Sequence, residues 1–475
     1  MSAPLWTFDA LVAASGGLAD GTSTIALTGF SIDTRTLKAG DIFVALKDQR
    51  DGHDFVSSAF AKGAGAALVS KTYVRQPGDG ALVRVADPLK GLEGIASAAR
   101  ARLSPAARVI AVTGSVGKTG TKEMLRGCLT LAAPGRVHAA DKSFNNHWGV
   151  PLTLASMPAD TLFGVFEIGM NHAGEITPLT KLVRPHVAIV TTVEAVHLEH
   201  FASVEDIAEA KSEIFLGLEP GGTAIINRDN AHFALMEMRA RQAGRSVCAF
   251  GLNEGAHVRP THWDLGADGS DITVTVSGRE VAYRLAAPGA HIAMNSLAVV
   301  AALDAVGVHA GQAAKALASM PAPQGRGSRT SLTTPAGEIL LIDESYNANP
   351  ASMRSALAAM ATVPRARFGR RVAVLGDMLE LGRDAAALHA GLAETIEAAE
   401  VDLVFTSGPQ MSHLDKVLLP GKRGGWAINS SEIKGPLLAA LRPGDVVMVK
   451  GSNGSRMAPL VEAIKEKFAG NERSQ

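Results

Sequence analysis

Gly114, Gly117, Lys118 and Thr119 follow one another closely, directly after the apolar run Val109-Ile-Ala-Val112. In that order these residue types can hold a phosphate. Glycines let backbone N–H groups approach phosphate oxygens, and a helix opening at Lys118 offers unpaired donors. The lysine adds a positive charge, and the Thr119 hydroxyl can ligate Mg²⁺. The common pattern GxxxxGK[ST] would put its first glycine at Val112, whereas Gly114 and Gly117 enclose only Ser115 and Val116, so the loop is a shortened variant. Such a loop implies a nucleotide but names no reaction.

Other residues with usable chemistry stand at the ends of apolar runs. Glu167 ends the run from Leu162 to Ile168, and His197 follows the run from Val187 to Val193. With Thr119 they would give oxygen and imidazole ligands for Mg²⁺ beside the phosphates it neutralises, although a Glu or His in a loop is equally a solvated residue. Lys211 lies in an amphipathic helical stretch from Ser203 to Leu216, where position alone makes it a solvent-facing salt-bridge partner. Asn145 and Asn146, in Ser143-Phe-Asn-Asn-His-Trp-Gly-Val-Pro151, can orient a peptide or a phosphate, or simply punctuate a turn. Arg35 and Lys47 could hold a phosphorylated ligand or be ordinary turn residues.

A chain of 475 residues exceeds one ordinary core and predicts two to four domains of about 100 to 200 residues each. Apolar residues at 47% and charged residues at 19% describe a soluble globular protein. Lys plus Arg and Asp plus Glu both total 46, which removes the overall basic charge of a nucleic-acid binder. Cys128 and Cys248 have no CxxC partner and make no disulfide framework. The N-terminus lacks a signal-peptide pattern and no stretch approaches membrane-spanning length, so a cytoplasmic enzyme with no nucleic-acid partner and no membrane span is expected, any membrane contact being peripheral.

Strand-like and helical runs alternate throughout. Thr24 to Leu27, Ile42 to Ala45 and Ala66 to Val69 are predicted strands of a small α/β unit, and a helix is predicted from Ala86-Asp-Pro-Leu to about Arg102. The central region alternates again, with a hairpin over 265–285 and a helix to about Val306, and ends in the linker Pro321-Ala-Pro-Gln-Gly-Arg-Gly-Ser-Arg329. The last part has strands at Glu338 to Ile342, Arg371 to Val374, Leu403 to Phe405 and Val446 to Val449. Its polar loops Asp343 to Pro350, Gly376 to Gly382 and Lys450 to Met457 each follow a strand, on the ligand edge of a doubly wound sheet. Ala469 to Gln475 reads as a frayed tail.

This set of loops, in this order and spacing, resembles the ATP-dependent Mur ligase family and its D-alanyl-D-alanine-adding branch. Asp33-Thr-Arg35, Gly40 to Phe55, Thr113 to Thr119, Asn145 to Pro151, Glu167 to Glu175, His197, Lys211, His291 to Asn295, Gly325-Arg-Gly327, Ser345 to Pro350, Gly376 to Gly382 and Lys450 to Met457 all take part. The resemblance implies an α/β fold of three domains: a UDP-substrate domain over 1–86, a central phosphate-loop ATPase domain with a mostly parallel sheet over 87–322, and a Rossmann-like domain over 323–475. It implies ATP contacts from Gly114, Ser115, Val116, Gly117, Lys118, Thr119, Asn295, Arg326, Glu344, Tyr346, Asn347 and Asn349. It implies Mg²⁺, two ions, at Thr119, Glu167, His197 and a carbamylated Lys211, which overturns the solvated reading of that lysine because a carbamate oxygen ligates a hard metal and an ammonium does not. Asp33, Arg35, Asn145 and Asn146 match substrate positions, and Lys118, Lys211, His197 and Arg326 match catalytic ones.

The implied reaction joins UDP-N-acetylmuramoyl-tripeptide to D-alanyl-D-alanine through an acyl phosphate, in the last cytoplasmic step of peptidoglycan-precursor synthesis, by a monomer. The family member adding the third amino acid carries Tyr-Ala-His-Thr-Pro where this chain has Ser345-Tyr-Asn-Ala-Asn-Pro350. A folate polyglutamylating ligase lacks the UDP-substrate pattern, and a nucleotide-dependent switch without ligase chemistry is the alternative of another class. Two positions depart from the family: Glu344 stands where most relatives carry Asp, and Thr192 where many carry Asn.

Overall fold

The computed structural model describes residues 4–468 apart from Lys142 and His197, with the side chains of 312–314 left out. His197 and the tail Ala469 to Gln475 therefore lie outside the described residues.

The middle of the molecule is a six-stranded parallel sheet in the order Ser246–Phe250, Thr223–Asn227, Val187–Val190, Arg108–Thr113, Phe163–Glu167, Val137–Ala139. Helices cover both faces, which is why its strands are continuous apolar runs. Ile110, Val112, Val165, Ile189 and Ile225 pack into one core layer, and Val109, Ala111, Phe166, Ala188, Val190 and Ile226 into the other. Arg108–Thr113 lies between two partners, with Val112 in register with Glu167 and Thr113 with Val190. The carboxyl ends of three strands thus converge where the phosphate loop begins.

At the N-terminal side, Leu18–Asp20, Leu82–Val85, Ala66–Ser70, Asp41–Val44 and Gly29–Ser31 form a five-stranded sheet, parallel except for its first strand. The predicted strand Thr24 to Leu27 is absent from it. Only Leu27 makes an isolated bridge, to Trp6. The Ser23 hydroxyl bonds to the backbone of Ile25 and to the Gly65 carbonyl, and this local pairing competes with a strand ladder.

The predicted hairpin over 265–285 is the second half of a three-stranded antiparallel sheet, Arg259–Gly266, Gly269–Val276 and Arg279–Leu285. Ile272, Val274, Val281 and Tyr283 share its buried face with the helix Ala290–Ala305, and the Tyr283 hydroxyl pairs with Ser296 Oγ at 2.8 Å. That helix is buried along most of its length, as an apolar helix enclosed by two sheets must be. It carries Asn295 to the phosphate loop.

The C-terminal sheet runs Ser328–Thr334, Gly337–Glu344, Asp445–Lys450, Arg370–Gly376, Leu403–Ser407, Arg423–Ala427, parallel except for the first strand. The whole is mixed α/β with mostly parallel sheets, as the sequence predicts.

Candidate active site

The phosphate loop is shaped by two glycines with left-handed backbone. Gly114 has φ +145° and Gly117 φ +87°, conformations that side chains rarely adopt. A Cβ on Gly117 would lie 2.5 Å from Asn295 Nδ2, so the loop and the helix of Asn295 fit together only with glycine there. The helix Lys118–Ala132 starts at Gly117 without a side-chain cap, leaving its first N–H groups open to an anion. Thr191 turns away after the strand Val187–Val190 and donates from Oγ1 to the Val116 carbonyl at 2.5 Å. Ser115 Oγ accepts from Glu194 N at 2.9 Å, and Ser115 N donates to the Thr192 carbonyl at 2.8 Å. The Ser115 side chain thus braces the loop. Lys118 Nζ folds back onto the Gly114 carbonyl at 2.6 Å. Burial pushes its ammonium below the ordinary lysine value, against an opposing pull from Glu167, and Arg326 lowers it further.

Beside the loop, Glu167 is buried and takes two donors. Thr119 Oγ1 donates to Oε2 at 2.7 Å, and Asn145 Nδ2 to Oε1 at 2.8 Å. Ser143 Oγ lies 3.1 Å from Thr119 Oγ1 and accepts from Arg326 Nη2 at 3.4 Å. Arg326 is thereby drawn from the linker to the central sheet, and its guanidinium stacks over Tyr346, 4.1 Å from the ring centroid.

These groups surround one cavity of ≈ 250 Å³. Ser115, Val116, Gly117, Lys118, Asn145, Glu167 and Asn295 line it from the central body, and Arg326, Glu344, Tyr346, Asn347 and Asn349 from the C-terminal one. Asn349 also has a structural task, because its Oδ1 accepts from Ser352 N and caps the helix Pro350–Ala361. Gly114 and Thr119 stand just outside the lining.

Lys211 does not face solvent. It is 2% exposed on the helix Val204–Ser212, and burial, with Lys118 adding repulsion, holds its amine well below the usual lysine value. The sequence-based position of a solvated salt-bridge lysine is wrong because tertiary packing covers the helix face that looks polar.

The residues expected at the peptide and UDP substrate are not brought together. Asn145 lines the cavity, but Asn146 Oδ1 accepts from Trp148 N and Gly149 N at the start of the helix Gly149–Ala155. Asp33 and Arg35 pair with each other, Nη2 to Oδ2 at 2.7 Å, on the surface. The N-terminal body has a separate cleft lined by Lys47, Asp51, His53, Tyr73, Gln76 and Trp148, and neither Asp33 nor Arg35 lines it.

Among the described residues, no group of three His, Cys, Asp or Glu side chains forms a metal centre by itself. The donors present still fit Mg²⁺. Thr119 Oγ1 and the Glu167 carboxylate are hard oxygens beside the loop, and Mg²⁺ commonly takes one or two protein oxygens together with substrate phosphates.

A family model described as the Mur ligase middle domain matches residues 112–303, and one described as the Mur ligase, glutamate ligase domain matches 328–453. The UDP-N-acetylmuramoyl-tripeptide--D-alanyl-D-alanine ligase of Escherichia coli (strain K12) is 36% identical over 445 residues, 93% of this chain and 94% of its own. The chain belongs to the Mur ligase family. The Bacillus subtilis (strain 168) protein of the same name is 33% identical over 443 residues, 92% of this Mur ligase and 93% of its own length. A crystal structure of MurF from Acinetobacter baumannii matches this Mur ligase with a TM-score of 0.83 at 28% identity, covering 97% of this chain and 99% of that one. The three-domain α/β architecture is therefore that of the family.

Two residues of this Mur ligase hold the site through contacts that the sequence does not show. Asp343 accepts from Gly325 N at 3.1 Å and from Ser345 Oγ at 2.6 Å, joining the linker to the loop that follows its own strand. Asn230 Nδ2 donates to Thr192 Oγ1 at 3.1 Å and to the Val193 carbonyl at 2.8 Å, so Thr192 is held by a neighbouring amide. Only spatial proximity reveals these contacts. No described helix of this Mur ligase is long and apolar enough to cross a membrane.

Proposed function

We propose that the chain is an ATP-dependent amide ligase joining D-alanyl-D-alanine to UDP-N-acetylmuramoyl-tripeptide, with release of ADP and phosphate. The observation that carries this reading is the single cavity walled by the phosphate loop and Asn295 on one side and by Arg326 and the loop after Glu344 on the other. The likeness to enzymes of that name over more than nine-tenths of the chain supports the choice of substrates. The proposed division is a UDP-substrate domain over 1–86, a central ATPase domain over 87–322 and a closing domain over 323–475, working as a cytoplasmic monomer.

In this reading the phosphates lie over the open N-terminus of the helix Lys118–Ala132. Lys118 leaves the Gly114 carbonyl to meet them, and Arg326 approaches the γ-phosphate from the linker. A carboxylate oxygen of the tripeptide attacks the γ-phosphorus while the bond to the ADP oxygen breaks, giving an acyl phosphate. The amine nitrogen of D-alanyl-D-alanine then attacks the acyl carbon and loses a proton. The carbon–oxygen bond to phosphate breaks, leaving the amide. The protein's part is positioning and charge neutralisation in a site closed to water, which would otherwise hydrolyse the acyl phosphate.

Thr119 and Glu167 would hold one Mg²⁺, with His197 proposed as a further ligand; Mg²⁺ would neutralise developing phosphate charge. Lys211 is suited to carbamylation, because burial favours its neutral amine, the form whose lone pair adds to carbon dioxide. Its carbamate would supply oxygens for a second ion. Asp33, Arg35 and Asn146 are proposed substrate contacts that would require rearrangement from the pairings described.

The test is ADP release assayed with UDP-N-acetylmuramoyl-tripeptides differing at residue three, each with and without D-alanyl-D-alanine. Release that needs both partners is expected. Turnover with a single free amino acid in place of the dipeptide, or nucleotide hydrolysis indifferent to both, would overturn the proposal.

A further inference from the structure

Glu344 and Lys450 are register partners at the carboxyl ends of neighbouring parallel strands, Gly337–Glu344 and Asp445–Lys450. Both line the nucleotide cavity. Lys450 is 2% exposed, and a lysine so buried needs partners for its charge. It has two: Nζ donates to Glu344 Oε2 at 3.1 Å and to the Asn347 carbonyl at 3.0 Å. Two residues further on, Ser452 Oγ donates to the Ala348 carbonyl at 3.2 Å. One strand end therefore grips the loop opposite at three positions, the Glu344 carboxylate that opens it and the backbone of Asn347 and Ala348.

The second oxygen of Glu344 has a different neighbour. A Cβ on Gly327, which has φ +92°, would stand 3.2 Å from Oε1, so glycine leaves room around that oxygen. His291 lines the same wall, and its imidazole is pushed below the ordinary value by burial, with Glu344 opposing and Lys450 adding to that push. The carboxylate is thus held at one oxygen by an ammonium while the other stays in the cavity wall. A carboxylate so held suits paired hydroxyl donors, such as the vicinal diol of a ribose.

We infer that Lys450 is a positioning residue for the nucleotide, fixing the Glu344 carboxylate and the Asn347 backbone together so that the loop is preset for ribose. This rests on the proposal that the cavity binds ATP and that Glu344 meets its sugar. Without the lysine, Glu344 is a largely covered carboxylate, its side chain 12% exposed, lacking its cation, and the loop loses a tie.

The experiment compares ATP with 2′-deoxy-ATP in wild type, Lys450→Met, Glu344→Gln and the double variant. The double variant removes both charges of the pair, so it keeps the test readable should a lone charge impair folding. Lys450→Met is expected to raise KM for ATP about tenfold with kcat changed less than about threefold, and to lower the ATP to 2′-deoxy-ATP preference to that of Glu344→Gln. The double variant is expected to show no further loss of preference, since both residues act through one contact. A wild-type preference in Lys450→Met, with a lowered one in Glu344→Gln, would overturn the positioning role and leave the ribose contact standing. A wild-type preference in Glu344→Gln would overturn the ribose contact and the inference with it.

Discussion

Gly382 of the C-terminal body touches the backbone of Glu199 in the central one: a Cβ at Gly382, where φ is +62°, would sit 3.3 Å from Glu199 Cα and 3.4 Å from the Leu198 carbonyl oxygen. The loop that carries Gly382 is stiff on its own side. Met378 N donates to His389 Nε2 at 3.0 Å, Leu379 N to Ser452 Oγ at 3.0 Å, and Asp377 Oδ1 accepts from Met411 N at 2.8 Å. Gly382→Val combines an unfavourable backbone conformation with a bulky contact between the two bodies. We expect kcat to fall about tenfold or more with ATP affinity changed less, because closure rather than binding is obstructed. Steady-state kinetics beside nucleotide titration checks this, and an unchanged kcat would count against a role for the contact.

Gly117→Ala should strike nucleotide binding itself. The added methyl meets the Asn295 amide, and the loop must leave its left-handed turn. A rise of about tenfold or more in the dissociation constant for ATP is expected, with the circular dichroism spectrum preserved. Wild-type affinity would show that the loop tolerates a different backbone.

Lys118→Met should abolish phosphate release, with turnover down on the order of a hundredfold or more, because the missing charge acts on the transferring phosphoryl group. Lys118 is half-buried and its ammonium already carries a desolvation cost, so the melting temperature is expected to stay level or rise. Full residual activity would remove the phosphate loop from the reaction.

Lys211 gives two separable outcomes. Lys211→Ala should be inactive and partly restored by a short-chain carboxylic acid occupying the place of the carbamate. A wild-type rate would make the lysine purely structural. Without carbon dioxide, the amine governs stability. An unfolded lysine titrates near the ordinary value of 10.5, whereas the folded one titrates well below it. Between those values the unfolded chain binds a proton that the folded chain lacks, so stability rises with pH and is lost as pH falls. Thermal melts of wild type and Lys211→Met in carbon-dioxide-free buffer, from about pH 7 to about pH 10, should show that slope in wild type and a flatter one in the variant. Equal slopes would mean that the amine is not neutral when buried.

The phosphate loop was legible because its grammar is local: an apolar strand, glycines, then a lysine opening a helix. The parallel sheets were legible for a similar reason, since strands covered on both faces are written as unbroken apolar runs. Lys211 was hidden from periodicity alone, because a helix shows which residues share a face and not what comes to cover it. The strand Arg259–Gly266 escaped notice because Pro260, His262 and Asp264 dilute its alternation while Trp263 and Leu265 pack on the same core as the hairpin. Asp33 and Arg35 were expected at the UDP substrate from the resemblance, yet they meet each other. The cleft beside Trp148 is assembled from segments far apart in sequence.

Pro321, Ala322, Pro323 and Gly325 line the nucleotide cavity, although they also form the segment joining the central and C-terminal bodies. A nucleotide in that cavity would rest directly against the joint. Any rotation of the C-terminal sheet reshapes the wall within reach of the bound molecule, with no chain of intermediate side chains needed to carry the change. The joint would then serve as its own gauge, and exchanging a triphosphate for a diphosphate would alter the resting angle between the two bodies at the point about which they turn.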